Sequence, residues 1–270
     1  MGKKKATGLL CSELEEYWGR AAAKQFFHEK QIVLSMHLDS VWWSGYDRAI
    51  SKYPKTFCTF IIKQVSGWCG CNSKLSLWED NIINKCPQCG LEHKNSKHLT
   101  RCRDPGRLLQ LHKSIESIMN ILDDANVTST LTKMIKTYLL NQGCQTMGEC
   151  THPKSIFSSI AIDIDNLGWN CFVEGRIPRS LINAIKPMYT RYNPRGSVDI
   201  WGSKFIKSLI GLTHKQWLFW NSDVHYVSKG LTVHQHKKLT AKICVIMKTK
   251  HKALFERHRH FIQIDFDKLG

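Results

Sequence analysis

One short segment holds four metal-ligand residues in the spacing C-x2-C-x8-H-x3-C, namely Cys86, Cys89, His98 and Cys102. Two cysteines separated by two residues can turn both thiolates toward one ion, and a His-x3-Cys pair on a helical turn can supply the other two corners of a tetrahedron. The protein then fills every coordination position. Because a closed site folds its segment rather than activating water, the spacing predicts a structural Zn²⁺ site.

Composition alone does not account for this segment. With 11 cysteines in 270 residues, about 0.4 C-x2-C pairs are expected by chance. A His-x3-Cys pair within the next ten or so residues lowers the expectation for the full set to about 0.01. Pro87 and Gly90 suit the tight turn of a zinc knuckle. Free thiols in a loop are the alternative, and His93 is a rival ligand beside the turn.

Further cysteines and histidines leave a second metal site open. The pair Cys69-Gly-Cys71 has no matching pair nearby, which is more typical of a turn with packed thiols than of a metal site. The set Cys144, Cys150 and His152 lacks a fourth ligand. An odd cysteine count in a long chain also favours reduced thiols and metal ligands over a disulfide framework.

The charge balance predicts a polyanionic partner. Lys and Arg exceed Asp and Glu by 17, and the pI is about 9.5, so nucleic acid is the simplest ligand. The densest basic stretch runs from residue 234 to 259. Solvated helix faces remain the alternative for any single patch. The residues predicted to contact nucleic acid are Arg101 and Arg103 within residues 84–104, which hold the four ligands and are called the metal segment below, Arg107 just after them, and Lys237 and Lys238 in the basic stretch.

Hydrophobic periodicity and capping signals predict a mainly α fold, a helical domain with a small zinc-knuckle insertion. Residues 1–83 are predicted to form an N-terminal helical segment, 84–104 the zinc knuckle, and 105–270 a C-terminal helical domain. Strands are expected to be few and confined to the zinc turn. Helices are predicted at residues 11–30, from about 40 to 50, 54–64, 105–124, 128–142, 153–167, 178–186 with a break or kink at Pro187, 198–221 and 239–262.

The chain shows no sign of a membrane segment or a secretory leader. No run of eighteen apolar residues is present, and the basic start Met1-Gly-Lys-Lys-Lys5 is not followed by the apolar core of a signal peptide. The sequence therefore predicts an intracellular protein, in the nucleus or the cytoplasm, with no membrane partner.

Several motifs carry a family resemblance. They are Phe60-Ile-Ile-Lys63 through Ser66-Gly-Trp-Cys-Gly70, the four ligand residues followed by Asp104, then Ala161, Asn166-Leu-Gly-Trp169, Glu174-Gly-Arg176, Pro178, Gly196, Trp201 and Trp220-Asn221 with His225. Residues 55–240 thereby resemble the zinc-binding region downstream of the polymerase in reverse transcriptases of non-LTR retrotransposons. The resemblance implies metal ligation by Cys86, Cys89, His98 and Cys102, and nucleic-acid handling beside a reverse transcriptase.

Catalytic signatures are absent from the sequence. No Tyr-x-Asp-Asp motif, Gly-rich phosphate loop, G-x-S-x-G elbow or H-E-x-x-H motif occurs. The pair Asp163-Ile-Asp165 could imitate the first strand of a ribonuclease H fold, but Ile160, Ile164 and Leu167 suit one helical face. A cysteine nucleophile has no local signature.

Two functional hypotheses follow from these observations. The first is a non-catalytic, zinc-containing module that binds RNA or DNA. The alternative is a helical protein-interaction or scaffold module in which the zinc is purely structural.

Overall fold

The computed structural model describes residues 35–77, 84–86, 88–90, 95–227 and 231–232, together with Gln25 and Glu29. The chain divides into two compact units, residues 1–217 and 218–270. The predicted boundaries at 83/84 and 104/105 both fall inside the first unit. Among the described residues no helix has the length and apolar character needed to cross a bilayer.

The described part of the chain is mainly helical, which confirms the predicted fold class. The prediction that strands are confined to the zinc turn is wrong, because a two-residue hairpin, β1 (Tyr226–Val227) with β2 (Leu231–Thr232), follows the last described helix. The helices are α1 (Ser35–Leu38), α2 (Trp43–Ile50), α3 (Lys55–Val65), α4 (Asn72–Leu75), a 3-10 helix (His98–Thr100), α5 (Pro105–Asp124), α6 (Ser129–Leu140), α7 (Ser158–Val173), α8 (Arg179–Tyr192) and α9 (Val198–His225).

Local signals explain where the central helices begin. The Asp104 side chain accepts a hydrogen bond from the Arg107 backbone N–H at 3.1 Å, and Pro105 occupies the first turn, so α5 begins where the sequence predicts. Helix α3 likewise follows Pro54. The interruption predicted at Gly168 is also present, since this residue has φ 79° and ψ 164° inside α7.

Some predicted boundaries are wrong. Helix α7 begins at Ser158 rather than at Pro153, because the Ser155 side chain accepts from the Phe157 N–H at 3.2 Å in a preceding turn. Helix α8 continues through Pro187 to Tyr192. Pro187 lies on the exposed face of α8, where the carbonyl that loses its N–H partner is on the solvent side. The predicted helices at 11–30, apart from the helical Gln25 and Glu29, and at 239–262 lie outside the described residues.

Helix packing places the metal segment against the core. Helix α5 packs on α6, α1 on α7, and α7 on α8. A buried apolar cluster joins Leu38 and Val41 to Leu167 and Cys171. The residues that hold the metal segment in place come from α3, α5, α7, α9 and the loop after α6, as described below.

The turn after α6 offers a sharp test of this packing. Gly143 has φ 66°, and a Cβ at this position would lie 2.6 Å from the Cβ and Cγ atoms of Trp169. Trp169 is buried and its Nε1 donates to Thr100 Oγ1 at 3.0 Å, so the indole cannot easily move. Gly143→Ala is expected to lower the free energy of unfolding by about 2–4 kcal/mol, measured by urea denaturation.

Gly211→Ala is the matched control. Gly211 lies within α9, and a Cβ there would meet nothing within 4 Å. We expect this change to be neutral or to stabilise the protein by up to about 1 kcal/mol, because alanine is the better helix former. Equal urea midpoints for the two variants would contradict the packing around Gly143.

Candidate metal centre

The four predicted ligands meet at one point in the structure. The ligand atoms of Cys86, Cys89, His98 and Cys102 all lie within 4.8 Å of one another. Cys86 Sγ is 3.8 Å from Cys102 Sγ, and Cys89 Sγ is 3.4 Å from His98 Nε2. A tetrahedral ion with ordinary Zn–S and Zn–N bond lengths places two sulfurs about 3.8 Å apart and a sulfur and a nitrogen about 3.6 Å apart. The donor set therefore fits a single metal ion.

A tight turn positions the first two ligands. The Gly90 backbone N–H donates to the Cys86 carbonyl at 2.8 Å, and Gly90 has φ 70°, which a residue with a side chain rarely adopts. Cys86 is buried and Cys89 is half-buried. The turn thus directs two thiols of a short segment toward the same interior point.

The 3-10 helix presents the third ligand, and Cys102 follows two residues after this helix. Asn95 Oδ1 accepts from the His98 backbone N–H at 2.9 Å, at the first residue of this short helix. The segment is anchored to its surroundings through Thr100, whose carbonyl accepts from Gln142 Nε2 at 3.1 Å and whose hydroxyl accepts from Trp169. These contacts hold the His98 and Cys102 side chains toward the other two ligands.

The position of Arg107 differs from the prediction made from the sequence. It was expected to contact phosphate, but it is only 1% exposed. Its Nη2 donates to the Leu99 carbonyl at 2.6 Å and to the Gln216 carbonyl at 3.1 Å, its Nε to Gln216 Oε1 at 3.2 Å, and its Nη1 to Gln88 Oε1 at 2.9 Å. Because these bonds engage the guanidinium in the interior, Arg107 joins the metal segment to α9 and cannot reach a nucleic-acid backbone.

The charge of Arg107 also complements the ligand set. Burial lowers the pKa of its guanidinium, and the neighbouring thiols Cys102 and Cys86 act in the opposite direction. Three thiolates, a neutral imidazole and a divalent ion would together carry about one negative charge. A buried arginine beside such a centre balances that charge in an interior that water cannot screen.

The other predicted nucleic-acid contacts have mixed outcomes. Arg101 and Arg103, on either side of the ligand Cys102, are both exposed. Arg103 Nη2 lies 3.8 Å from Cys144 Sγ. Lys237 and Lys238 lie outside the described residues, as does the rival ligand His93, so those predictions stay predictions.

The remaining sulfur positions do not form a second cluster in the part of the chain that the structure describes. Cys69 and Cys71 are buried, and a hydrogen bond to Cys71 together with burial raises the pKa of the Cys69 thiol. Cys144 is exposed, while Cys150 Sγ lies 4.0 Å from Gln145 Oε1. Of the described residues, only the Cys86 set forms a group of three or more that could hold a metal ion.

The carboxylates of Asp163 and Asp165 in α7 accept hydrogen bonds from different parts of the chain. Asp163 Oδ2 accepts from Ser180 Oγ at 2.6 Å. The carboxylate of Asp165 accepts from the backbone N–H groups of Met147 at 2.6 Å and Gly148 at 2.8 Å. Both residues lie on a helix, so the resemblance to a ribonuclease H strand does not hold.

A buried ion pair is connected to the metal segment through Gln64. Glu174 and Arg176 pair with each other on the two sides of Gly175, which has φ 82°. Burial raises the pKa of Glu174, and Arg176 and Gln64 oppose this effect. Gln64 Nε2 lies 3.3 Å from Glu174 Oε1 and donates to the Ser96 carbonyl at 3.1 Å. The pair therefore helps to fix α3 against the segment that carries His98.

Sequence reasoning missed the residues that support the centre. Gln88, Gln142 and Gln216 are uncharged and carry no motif, and their roles depend on partners up to 109 residues away. Lys97, exposed next to His98, was also missed. Its only sequence signal is its place in a segment, residues 93–103, that contains no acidic residue.

No protein-family model, curated protein or solved structure matches this chain.

Proposed function

We propose that this chain is a non-catalytic nucleic-acid-binding module whose structure depends on one Zn²⁺ ion. The observation that carries the proposal is the convergence of the Cys86, Cys89, His98 and Cys102 ligand atoms within 4.8 Å of one another, with exposed arginines on either side of the last ligand. The metal orders the segment and thereby presents these cations on one surface.

The donor set supports zinc as the metal. Three thiolates and one imidazole form a common structural zinc site, whereas magnesium and calcium prefer oxygen ligands. All four positions are filled by protein, which leaves none for a reactive water. Elemental analysis of protein purified under reducing conditions is expected to find about one zinc per chain.

The local charges support a phosphate ligand. Lys97, Arg101 and Arg103 are exposed within a stretch that contains no acidic residue. Asp104, the acid next to Arg103 in the sequence, is engaged in capping α5. The cations are thus available to a polyanion such as RNA or DNA, and the net charge of +17 favours the encounter.

The wider setting is part of the same proposal. The resemblance to the region downstream of a retroelement polymerase suggests a reverse transcriptase as a protein partner and an intracellular location, in the nucleus or the cytoplasm. A scaffold module with a purely structural zinc is the second candidate. It is favoured by the contacts that join the metal segment to Arg107 and Gln216 in the interior.

Salt dependence tests the proposal. Binding of RNA and DNA oligonucleotides should weaken steeply as salt rises, and the double change Arg101→Ala and Arg103→Ala should weaken binding and reduce the slope of log K against log salt by about 1.5. Fluorescence anisotropy at several salt concentrations measures both quantities.

A control with the same charge change separates a local surface from diffuse attraction. Arg179→Ala with Lys186→Ala removes two exposed cations from α8 and is expected to change affinity less than the pair beside the metal. Equal effects of the two pairs would contradict a surface centred on the metal segment. Absence of binding to RNA and DNA, together with a bound zinc, would favour the scaffold candidate.

A further inference from the structure

Trp68 lies on the surface in the loop between α3 and α4. Its side chain is 52% exposed, although tryptophan usually contributes its large apolar area to a core. The Lys74 ammonium lies over its ring, 4.4 Å from the ring centroid. An exposed indole combined with a cation is a pairing found where proteins bind flat, charged ligands.

The surrounding sequence is basic and free of acids. Residues 48–78 contain no Asp or Glu. Lys63, at the end of α3, is exposed, and its carbonyl accepts a hydrogen bond from the Trp68 backbone N–H at 2.8 Å. The segment that presents the indole therefore carries lysines on both sides of Trp68, Lys63 before it and Lys74 after it.

Hydrogen bonds from the two helices that flank this loop reach the metal segment. Asn72 Nδ2 donates to the carbonyl of Lys85 at 3.0 Å, directly before the first ligand Cys86. On the other side of the loop, Gln64 donates to the Ser96 carbonyl, two residues before the ligand His98. Lys85 and Lys97, the residues next to these two ligands, are both exposed. The loop that carries Trp68 thus lies between two residues, Gln64 and Asn72, that both bind the metal segment.

We propose that Trp68 and Lys74 form a stacking site for an unpaired base, and that single-stranded nucleic acid is the ligand of this region. The inference rests on the proposed function and names the ligand class for that surface. The indole packs against the flat face of a base, while Lys74 and the neighbouring lysines contact the flanking phosphates. Because every base has such a face, the site accepts all four bases without reading sequence.

A duplex does not satisfy this arrangement. Its bases are already stacked on one another, so only the phosphates would be available to Trp68 and its neighbours. The lysines can contact either form. The indole therefore makes the difference between the two ligands.

The test compares three probes with the zinc-loaded full chain. They are a labelled oligo(dT) of about 12 nucleotides, a strand of the same length with abasic sites in place of the bases, and a duplex of the same length. The wild-type protein should bind oligo(dT) about tenfold more tightly than the abasic strand. Trp68→Ala should remove that preference and leave duplex affinity unchanged, and Trp68→Phe, which keeps an aromatic face, should retain most of it.

A matched variant controls for loss of exposed apolar surface. Ile62 on α3 is 67% exposed and has no aromatic face, so Ile62→Ala should keep the wild-type preference for bases. Thermal melts by circular dichroism of all three variants should match the wild type.

The outcomes separate the two proposals. If the wild type binds duplex and oligo(dT) but Trp68→Ala retains full preference for bases over abasic sites, the stacking site is wrong while the proposed function stands. Equal weakening of all three probes by Trp68→Ala would also overturn base stacking. If the wild-type protein binds none of the probes, the proposed nucleic-acid function fails, and the stacking site fails with it.

Discussion

Cys102→Ser in the zinc-loaded protein is expected to lower the midpoint of thermal unfolding by about 10–20 °C. The Cys102 side chain is 1% exposed, and its sulfur is one of two thiols that meet 3.8 Å apart in the interior. Serine is a poor zinc ligand, so three donors would remain and the metal would bind much more weakly. Because metal binding and folding of the segment are coupled, the loss of affinity is a loss of stability.

The structure also indicates which residues should lose stability in the Cys102→Ser variant. The sequence predicts local melting of residues 84–104 while the later helices survive. Leu99 and Thr100 carry carbonyls that accept from Arg107 and Gln142, so the first turn of α5 and the loop after α6 should lose protection as well. Hydrogen exchange of the wild type and Cys102→Ser, with and without a chelator, measures this spread.

Cys144→Ser is the control for the cysteine change. Cys144 is exposed and lies outside the ligand group, so its replacement should leave the metal content at the wild-type level and the thermal midpoint within about 2 °C. The metal centre would be refuted by wild-type protein that contains no zinc after purification under reducing conditions. Full metal content and an unchanged midpoint in Cys102→Ser would refute it equally.

Arg107→Met is expected to lower the free energy of unfolding by about 3–5 kcal/mol. Methionine can fill much of the same volume, but it donates no hydrogen bonds. The backbone carbonyls of Leu99 and Gln216 and the side-chain oxygen of Gln216, all in buried residues, would lose the hydrogen bonds that they accept from Arg107. Buried acceptors without a partner retain their full desolvation cost, which is the physical reason for a large effect.

Two variants control for loss of charge and loss of packing. Arg103→Met removes the same side chain from an exposed position and should change the free energy of unfolding by less than about 0.5 kcal/mol. Arg107→Lys keeps the charge but not the planar fork, so it should recover only part of the lost stability. Urea unfolding of the three proteins measures these differences. Similar values for Arg107→Met and Arg103→Met would show that the buried hydrogen bonds contribute little.

Much of the helical architecture could be predicted from local signals. Asp104 and Pro105 mark the start of α5, and Gly168 marks the break in α7, because capping and positive φ depend on a few neighbouring residues. Pro187 misled the prediction for α8. A proline within a helix costs less where the freed carbonyl lies on the exposed face, and exposure is not a local property of the sequence.

In the candidate site, too, some features could be predicted from local sequence and others could not. Its four ligands lie within seventeen consecutive positions, 86–102, and their spacing is readable because a metal accepts only a few geometries. By contrast, the sequence around Arg101, Arg103 and Arg107 does not indicate which of these arginines is buried. Arg101 and Arg103 are exposed whereas Arg107 is buried, a difference set by Gln216, which lies 109 residues further along the chain.

The four candidate ligands, the mainly helical class and the excess of positive charge could all be read from the chain before folding, since they follow from residue spacing, short-range periodicity and composition. The folded structure was needed to learn which cations face solvent, that Asp163 and Asp165 accept hydrogen bonds from neighbouring segments, and that Trp68 lies exposed. Burial and hydrogen bonding between distant segments depend on how helices pack, and no local pattern specifies that packing.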